Sequence, residues 1–136
     1  MLKPFTTSPS PPEPALPSPG LDAEALGRLT ALDPSGENRL LERVLNAFQS
    51  SAARLVPQLE AGRAGADWNA VRLVAHTLKS SSASIGALAL STQCAQVETA
   101  IRTNATAALD ADILAMIREL DLALQAIERL LTERGA

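Results

Sequence analysis

Aromatic side chains are scarce in this 136-residue chain, with two Phe, one Trp and no Tyr, 2% in all. Hydrophobic residues nevertheless make up 46%, so a core has to be built from Leu, Ile, Val and Ala. Small aliphatic side chains with many Ala favour closely packed helices over a sheet. A single cysteine excludes an internal disulfide and fits a cytoplasmic setting. One Cys and one His cannot supply the clustered nitrogen and sulfur ligands of a transition-metal site, so no metal site is expected in this chain. Basic residues are outnumbered, 12 Lys and Arg against 15 Asp and Glu for a net charge of −3. That balance argues against nucleic acid as a partner, because phosphate backbones select basic surfaces. No apolar run reaches the roughly 18 residues of a membrane-spanning helix, and the N-terminus lacks the apolar core of a signal peptide. There is no P-loop or glycine-rich nucleotide box, so ATP binding and autonomous kinase activity are not expected.

Proline is plentiful in one place only. Seven of the nine prolines, Pro4, Pro9, Pro11, Pro12, Pro14, Pro17 and Pro19, fall among Ser and Thr before Leu21. Such a segment lacks the backbone donors for a helix or a central strand. Residues 1–20 are therefore expected to be a flexible linker with polyproline character, and residues 21–136 one helical domain. The tether at one end and a last helix close to the other favour a C-terminal module of a larger protein.

Helical periodicity fills the rest. A short helix is expected from Leu21 to Leu32, capped by Asp22, with Leu21 and Leu26 at the two staple positions. Asp33-Pro34-Ser35-Gly36 breaks it. A second helix is expected from near Ser35, carrying Leu41, Val44, Leu45, Phe48, Ala52, Leu55 and Leu59, with a kink or early fraying at Pro57 and an end at Gly62 and Gly65. Asp67 caps a third helix, which Gly86 ends. A fourth runs from about Ala87 to Arg102 with Leu90, Cys94, Val97 and Ile101 inward. The last, from about Leu109 to Thr132, places Ile113, Ile117, Leu120, Leu124, Ile127 and Leu131 on a bundle seam. Long amphipathic helices with short connections predict an all-α, antiparallel up-down four-helix bundle with a short extra N-terminal helix.

The only histidine, His76, lies in the third helix just off a buried stripe of Val71, Val74, Ala75, Leu78 and Ile85. Lys79 and Ser80 are three and four residues on, beside the imidazole on the same surface. Ser80, Ala83 and Gly86 keep that strip low in relief, which suits a histidine that another protein must reach. A Ser–His hydrolase does not fit. There is no Gly-x-Ser-x-Gly elbow, and amides inside a helix are already bonded and cannot form an oxyanion hole. Glu98 is 22 residues after His76. Two antiparallel helices that reverse at about Gly86 bring the two to nearly the same height. Glu98 could then reach His76, or it could pair with Arg102 one turn on.

The run His76, Leu78, Lys79, Ser80, Ser81, Ile85, Gly86, Ala87, followed by Leu90, Cys94, Val97 and Glu98, closely resembles the histidine-containing phosphotransfer (HPt) domain of bacterial phosphorelays. The resemblance extends over about Asp22 to Arg134. The commonest form of the family has Gly where this chain has Ser80, and Ser is a familiar variant. The resemblance implies a phosphorelay intermediate that accepts a phosphoryl group on His76 from a receiver-domain aspartate and passes it to another, or back. Lys79 would offset phosphate charge, worth roughly 0.5–1.5 kcal/mol at an exposed site. Glu98 would hydrogen-bond the inner imidazole nitrogen, and Ser80, Ala83 and Gly86 would form the docking surface. The expected partners are receiver domains, which would also bring the magnesium ion; this chain would hold no cofactor, insert in no membrane and be monomeric. The implied location is cytoplasmic, tethered to an inner-membrane sensor if the chain is part of a hybrid kinase. The competing reading is a helical interaction module that docks a receiver or another enzyme without carrying phosphate.

Overall fold

The first helix begins at a cap. In the computed structural model, which describes residues 20–135, the Asp22 carboxylate accepts from the backbone N–H of Ala25 at 3.0 Å and starts α1, Ala23–Ala31. Leu21 and Leu26 are both buried, as a hydrophobic staple requires. The proline-rich stretch before Gly20, read as a linker, lies outside the described residues.

The second helix, α2, is Leu40–Ala64, so it starts five residues later than Ser35, where the sequence pattern placed it. The reason is Asp33. Its carboxylate accepts from the backbone N–H groups of Asn38 at 3.3 Å and Leu40 at 3.1 Å and from the Asn38 side chain at 3.2 Å. These bonds, with that from Leu40 foremost, hold the Asp33 carboxyl below its ordinary range. They fold residues 34–39 into a turn with Gly36 and Arg39 at positive φ. Pro57 does not fray α2. Leu55, Leu59 and Gly62 beyond or beside it are buried, and that packing carries the helix past the missing amide. Gly62 lies within the helix and does not end it. A Cβ there would sit 3.1 Å from Val71 Cγ2, so Gly62 marks a close approach to the next helix.

Asp67 caps α3, Trp68–Ser84, by accepting from the N–H of Ala70 at 3.2 Å. Then follow α4, Leu88–Arg102, and α5, Leu109–Glu133. The turn between α3 and α4 is a Schellman motif. Gly86 sits at φ +83°, the Ala87 N–H donates to Ser82 O at 2.8 Å and the Gly86 N–H to Ala83 O at 3.2 Å, which satisfies the last carbonyls. Such short turns force consecutive helices antiparallel. The result is an all-α bundle of α2–α5 with α1 laid across the α3–α4 turn, where the Asp22 N–H donates to Gly86 O at 2.8 Å.

The packing is uneven. α3 lies most closely on α4, and the seam between α2 and α5 is the thinnest. On α5 the buried set is Leu109, Ile113, Met116, Leu120, Ala123, Ala126, Ile127 and Leu131. Ile117 and Leu124, expected on the seam, are only half-buried. They border the grooves beside Val56 of α2, while Ala123 faces Ala89 and Leu90 of α4. The helix is turned toward its closer neighbour. No helix among the described residues is long and apolar enough to cross a membrane.

Candidate functional site

Ala75 and Leu78 are fully buried and fix the rotation of α3. That rotation turns the intervening surface outward, with a His76 side chain 62% exposed and a Lys79 side chain 37% exposed. On α4 the fully buried Cys94 and Val97 set Glu98 at the boundary with α3. The Ser91 hydroxyl adds a tie by donating to the Lys79 carbonyl at 2.9 Å.

Glu98 is the hub. Its Oε2 lies 2.8 Å from His76 Nδ1, and its Oε1 accepts from Lys79 Nζ at 2.7 Å. Arg102 is present too, but its Nη1 is 3.8 Å from Oε2, beyond hydrogen-bond range. Of the two partners open to Glu98 in the sequence, the imidazole makes the hydrogen bond and the arginine stands just outside it. The bond from Lys79, and after it that from His76, hold the Glu98 carboxyl below its ordinary value of 4.5 although burial pushes the other way. An ionised carboxylate only accepts. His76 Nδ1 therefore carries a proton and donates, and in the neutral ring the lone pair then falls on Nε2, a nitrogen with no hydrogen-bond partner among the described residues.

Ser80 and Ala83 are exposed on the same strip. Gly86 is not. It is buried, and a Cβ on it would lie 2.7 Å from Asp22 N and 3.1 Å from Ala25 Cβ. Its place is beneath α1, which removes it from any docking surface. The serine hydroxyls fold back on their own helix. Ser81 donates to Thr77 O at 3.2 Å, Ser84 to Ser80 O at 3.1 Å, and Ser82 to Leu78 O. None pairs with the imidazole. Burial, and then the nearby Glu98 charge, push the Cys94 thiol up to about 12, so it is no nucleophile. Among the described residues no group of three or more His, Cys, Asp and Glu is placed to hold a metal ion. Ser91 is the contributor that the sequence did not announce. Its partner is a main-chain carbonyl, which leaves no side-chain pattern to read.

A lone exposed histidine, oriented by a buried carboxylate on the neighbouring helix, invites comparison with known proteins. The family model described as Hpt domain matches residues 43–130, more than half of the chain. The chain belongs to the Hpt domain family. It is a histidine phosphotransfer intermediate of phosphorelay signalling. The crystal structure of histidine-containing phosphotransfer protein B (HptB) from Pseudomonas aeruginosa PAO1 is similar to this Hpt domain at 26% identity and a TM-score of 0.71, over 85% of this chain and 96% of that one. Among curated proteins none matches.

Proposed function

We propose that His76 is the phosphoryl acceptor of this Hpt domain and that Nε2 is the reacting atom. The observation that carries this reading is the 2.8 Å contact between Nδ1 and Glu98 Oε2. With the proton held on Nδ1, Nε2 presents its lone pair outward without needing a general base. In the transfer, the bond between phosphorus and the aspartyl oxygen of a phosphorylated receiver breaks as the bond from Nε2 to phosphorus forms. The electron pair leaves with the receiver carboxylate, and no proton moves. The imidazole becomes a phosphorylated imidazolium, and the Glu98 carboxylate offsets the new positive charge. The reverse step gives the phosphoryl group to a second aspartate.

Ser80 and Ala83 give the partner a flat approach to the imidazole, and Lys79 stands at its edge. Magnesium does not fit this side of the complex. The one carboxylate at the site, Glu98, already has both oxygens engaged. The ion that neutralises phosphoryl charge during transfer belongs to the receiver. A cytoplasmic location follows from that partner.

The test is labelling. Incubation with a phosphorylated receiver should place acid-labile, base-stable phosphate on the wild type and none on His76→Gln, with the circular dichroism and melting of the variant unchanged. Phosphate on His76→Gln would show that the acceptor is another residue. A wild type that binds the receiver without acquiring phosphate would favour the non-catalytic interaction module.

A further inference from the structure

The thin seam between α2 and α5 is closed at its two ends and open between them. At one end Gln49 Nε2 donates to Glu128 Oε1 at 3.3 Å. At the other, Arg63 Nε and Nη2 donate to the two Asp110 carboxylate oxygens at 2.9 and 3.3 Å. About 20 Å of α2 separates Gln49 from Arg63. Over that span, among the described residues, no side-chain hydrogen bond joins the two helices. A shallow apolar groove lies there instead. Val56, Ile117 and Leu124 stand half-buried in it, and Leu114 is 47% exposed at its edge. The groove lies across the bundle from the α3–α4 seam that holds His76 and Glu98.

Two observations say what the groove takes. Its charged rim is lopsided, with Glu60, Asp121 and Glu128 acidic and Arg118 alone basic. Pro57 adds an acceptor. It has no amide to give, so the Ala53 carbonyl one turn back loses its helical donor, and both residues line the groove. An acidic rim and a spare carbonyl beside an apolar floor match a ligand with one apolar stripe and cations on its flanks. A second copy of the described chain lacks that stripe. Of its large exposed hydrophobics, Leu32, Leu73, Leu88, Leu114 and Leu122, no two stand within a turn of each other on one helix, and two acidic rims repel. We propose that the α2–α5 groove is a docking site for an amphipathic helix of another protein. Its apolar anchors, one turn apart, seat between Val56, Ile117 and Leu124, and its Lys or Arg side chains face Glu60, Asp121 and Glu128. Because the groove faces away from His76, such a helix holds the domain without blocking a receiver.

The experiment uses the full chain and a Leu/Lys amphipathic peptide of about 15 residues, the length of the groove, with a Leu/Glu peptide as the charge-reversed control. Fluorescence anisotropy reads the affinity, and amide NMR shifts read the place. The Leu/Lys peptide should bind saturably, with shifts centred on Ala53, Val56 and Leu124, and the Leu/Glu peptide should not bind. Leu114→Lys should weaken binding about tenfold, the scale of one interface anchor. Leu122→Lys is the matched control. Leu122 is equally exposed, at 47%, gains the same charge and borders the α4 side of α5, so the loss there should stay below about twofold. With the peptide saturating, receiver-dependent labelling of His76 should keep its rate. Absent binding, equal losses from the two lysine variants, shifts spread over the acidic surface or slowed labelling would each overturn the proposal. So would a concentration-dependent dimer in sedimentation that Leu114→Lys dissolves, which would give the groove to a second copy. Anisotropy and shifts need no phosphate, so a wild type that takes no label on His76 would sink the acceptor reading and leave the groove result to stand or fall by itself.

Discussion

Glu98 joins two helices through one carboxylate, and its ionisation is coupled to folding. Its carboxyl is held below 4.5 by Lys79 and His76. A depressed folded value means that the stabilisation is complete above the ordinary value and is lost as pH falls through the lower, folded one. Asp33, Glu42 and Asp110 are depressed as well, by Leu40, Arg134 and Arg63 respectively as first cause. Each adds to the same acid limb. Glu98→Gln should therefore flatten, without abolishing, the loss of stability from about pH 5 downward. Urea melts at stepped pH check this, and superimposable acid limbs for the variant and the wild type would contradict it. Glu98→Gln keeps an acceptor for His76 Nδ1 and should keep much of the labelling rate, while Glu98→Ala, which leaves the ring unoriented, should lose most of it. Rapid-quench labelling with a phosphorylated receiver separates the two.

The helices end by a shared device, and one of the ends is imperfect. After α2, Ala66 lies at φ 52°. The Asp67 N–H donates to Gly62 O at 2.8 Å and the Ala66 N–H to Arg63 O at 3.2 Å, the same Schellman pair that Gly86 makes after α3. An alanine in the left-handed region is strained by about 1–2 kcal/mol, part of which glycine gives back in the unfolded chain. Ala66→Gly should thus stabilise the protein by about 0.5–1 kcal/mol, seen as a higher urea midpoint. Gly86→Ala should do the reverse and more. It adds the same strain and drives a Cβ to 2.7 Å from Asp22 N, where main chain must move. A loss above about 2 kcal/mol is expected, with faster proteolysis inside α1 as its mark. A Gly86→Ala protein with native stability and a protected α1 would show that the α1 contact is dispensable.

Across the whole molecule the core is one cluster that runs from Leu21 to Leu131, and Cys94 reports on it. The thiol is fully buried and pushed up to about 12. A thiol reagent at pH 8 should react with it only when the bundle opens, at a rate that rises with urea in step with global unfolding. A fast urea-independent reaction would mean that the α3–α4 region opens locally. That would be a surprise, since this is the pair of helices in closest contact and the pair that holds the site. The thin seam between α2 and α5 is the place where local opening is expected instead.

The sequence by itself determined the helices, the caps at Asp22 and Asp67, the reversal at Gly86 and the phosphotransfer motif around His76. Periodicity and capping act within one or two turns, so neighbours in the chain carry them. The sequence left Glu98 between His76 and Arg102, put Gly86 on a docking face and chose Ile117 and Leu124 for the seam of α5. Those questions turn on the rotation and height of one helix against another. The buried Ala75, Leu78, Cys94 and Val97 set them for the site, and the closer packing of α5 on α4 set them for the seam. Asp33 shows the same limit over a shorter span. It accepts from Leu40, seven residues on, across a turn at Gly36 and Arg39. No helical or strand period links such positions, and only the folded loop brings them together.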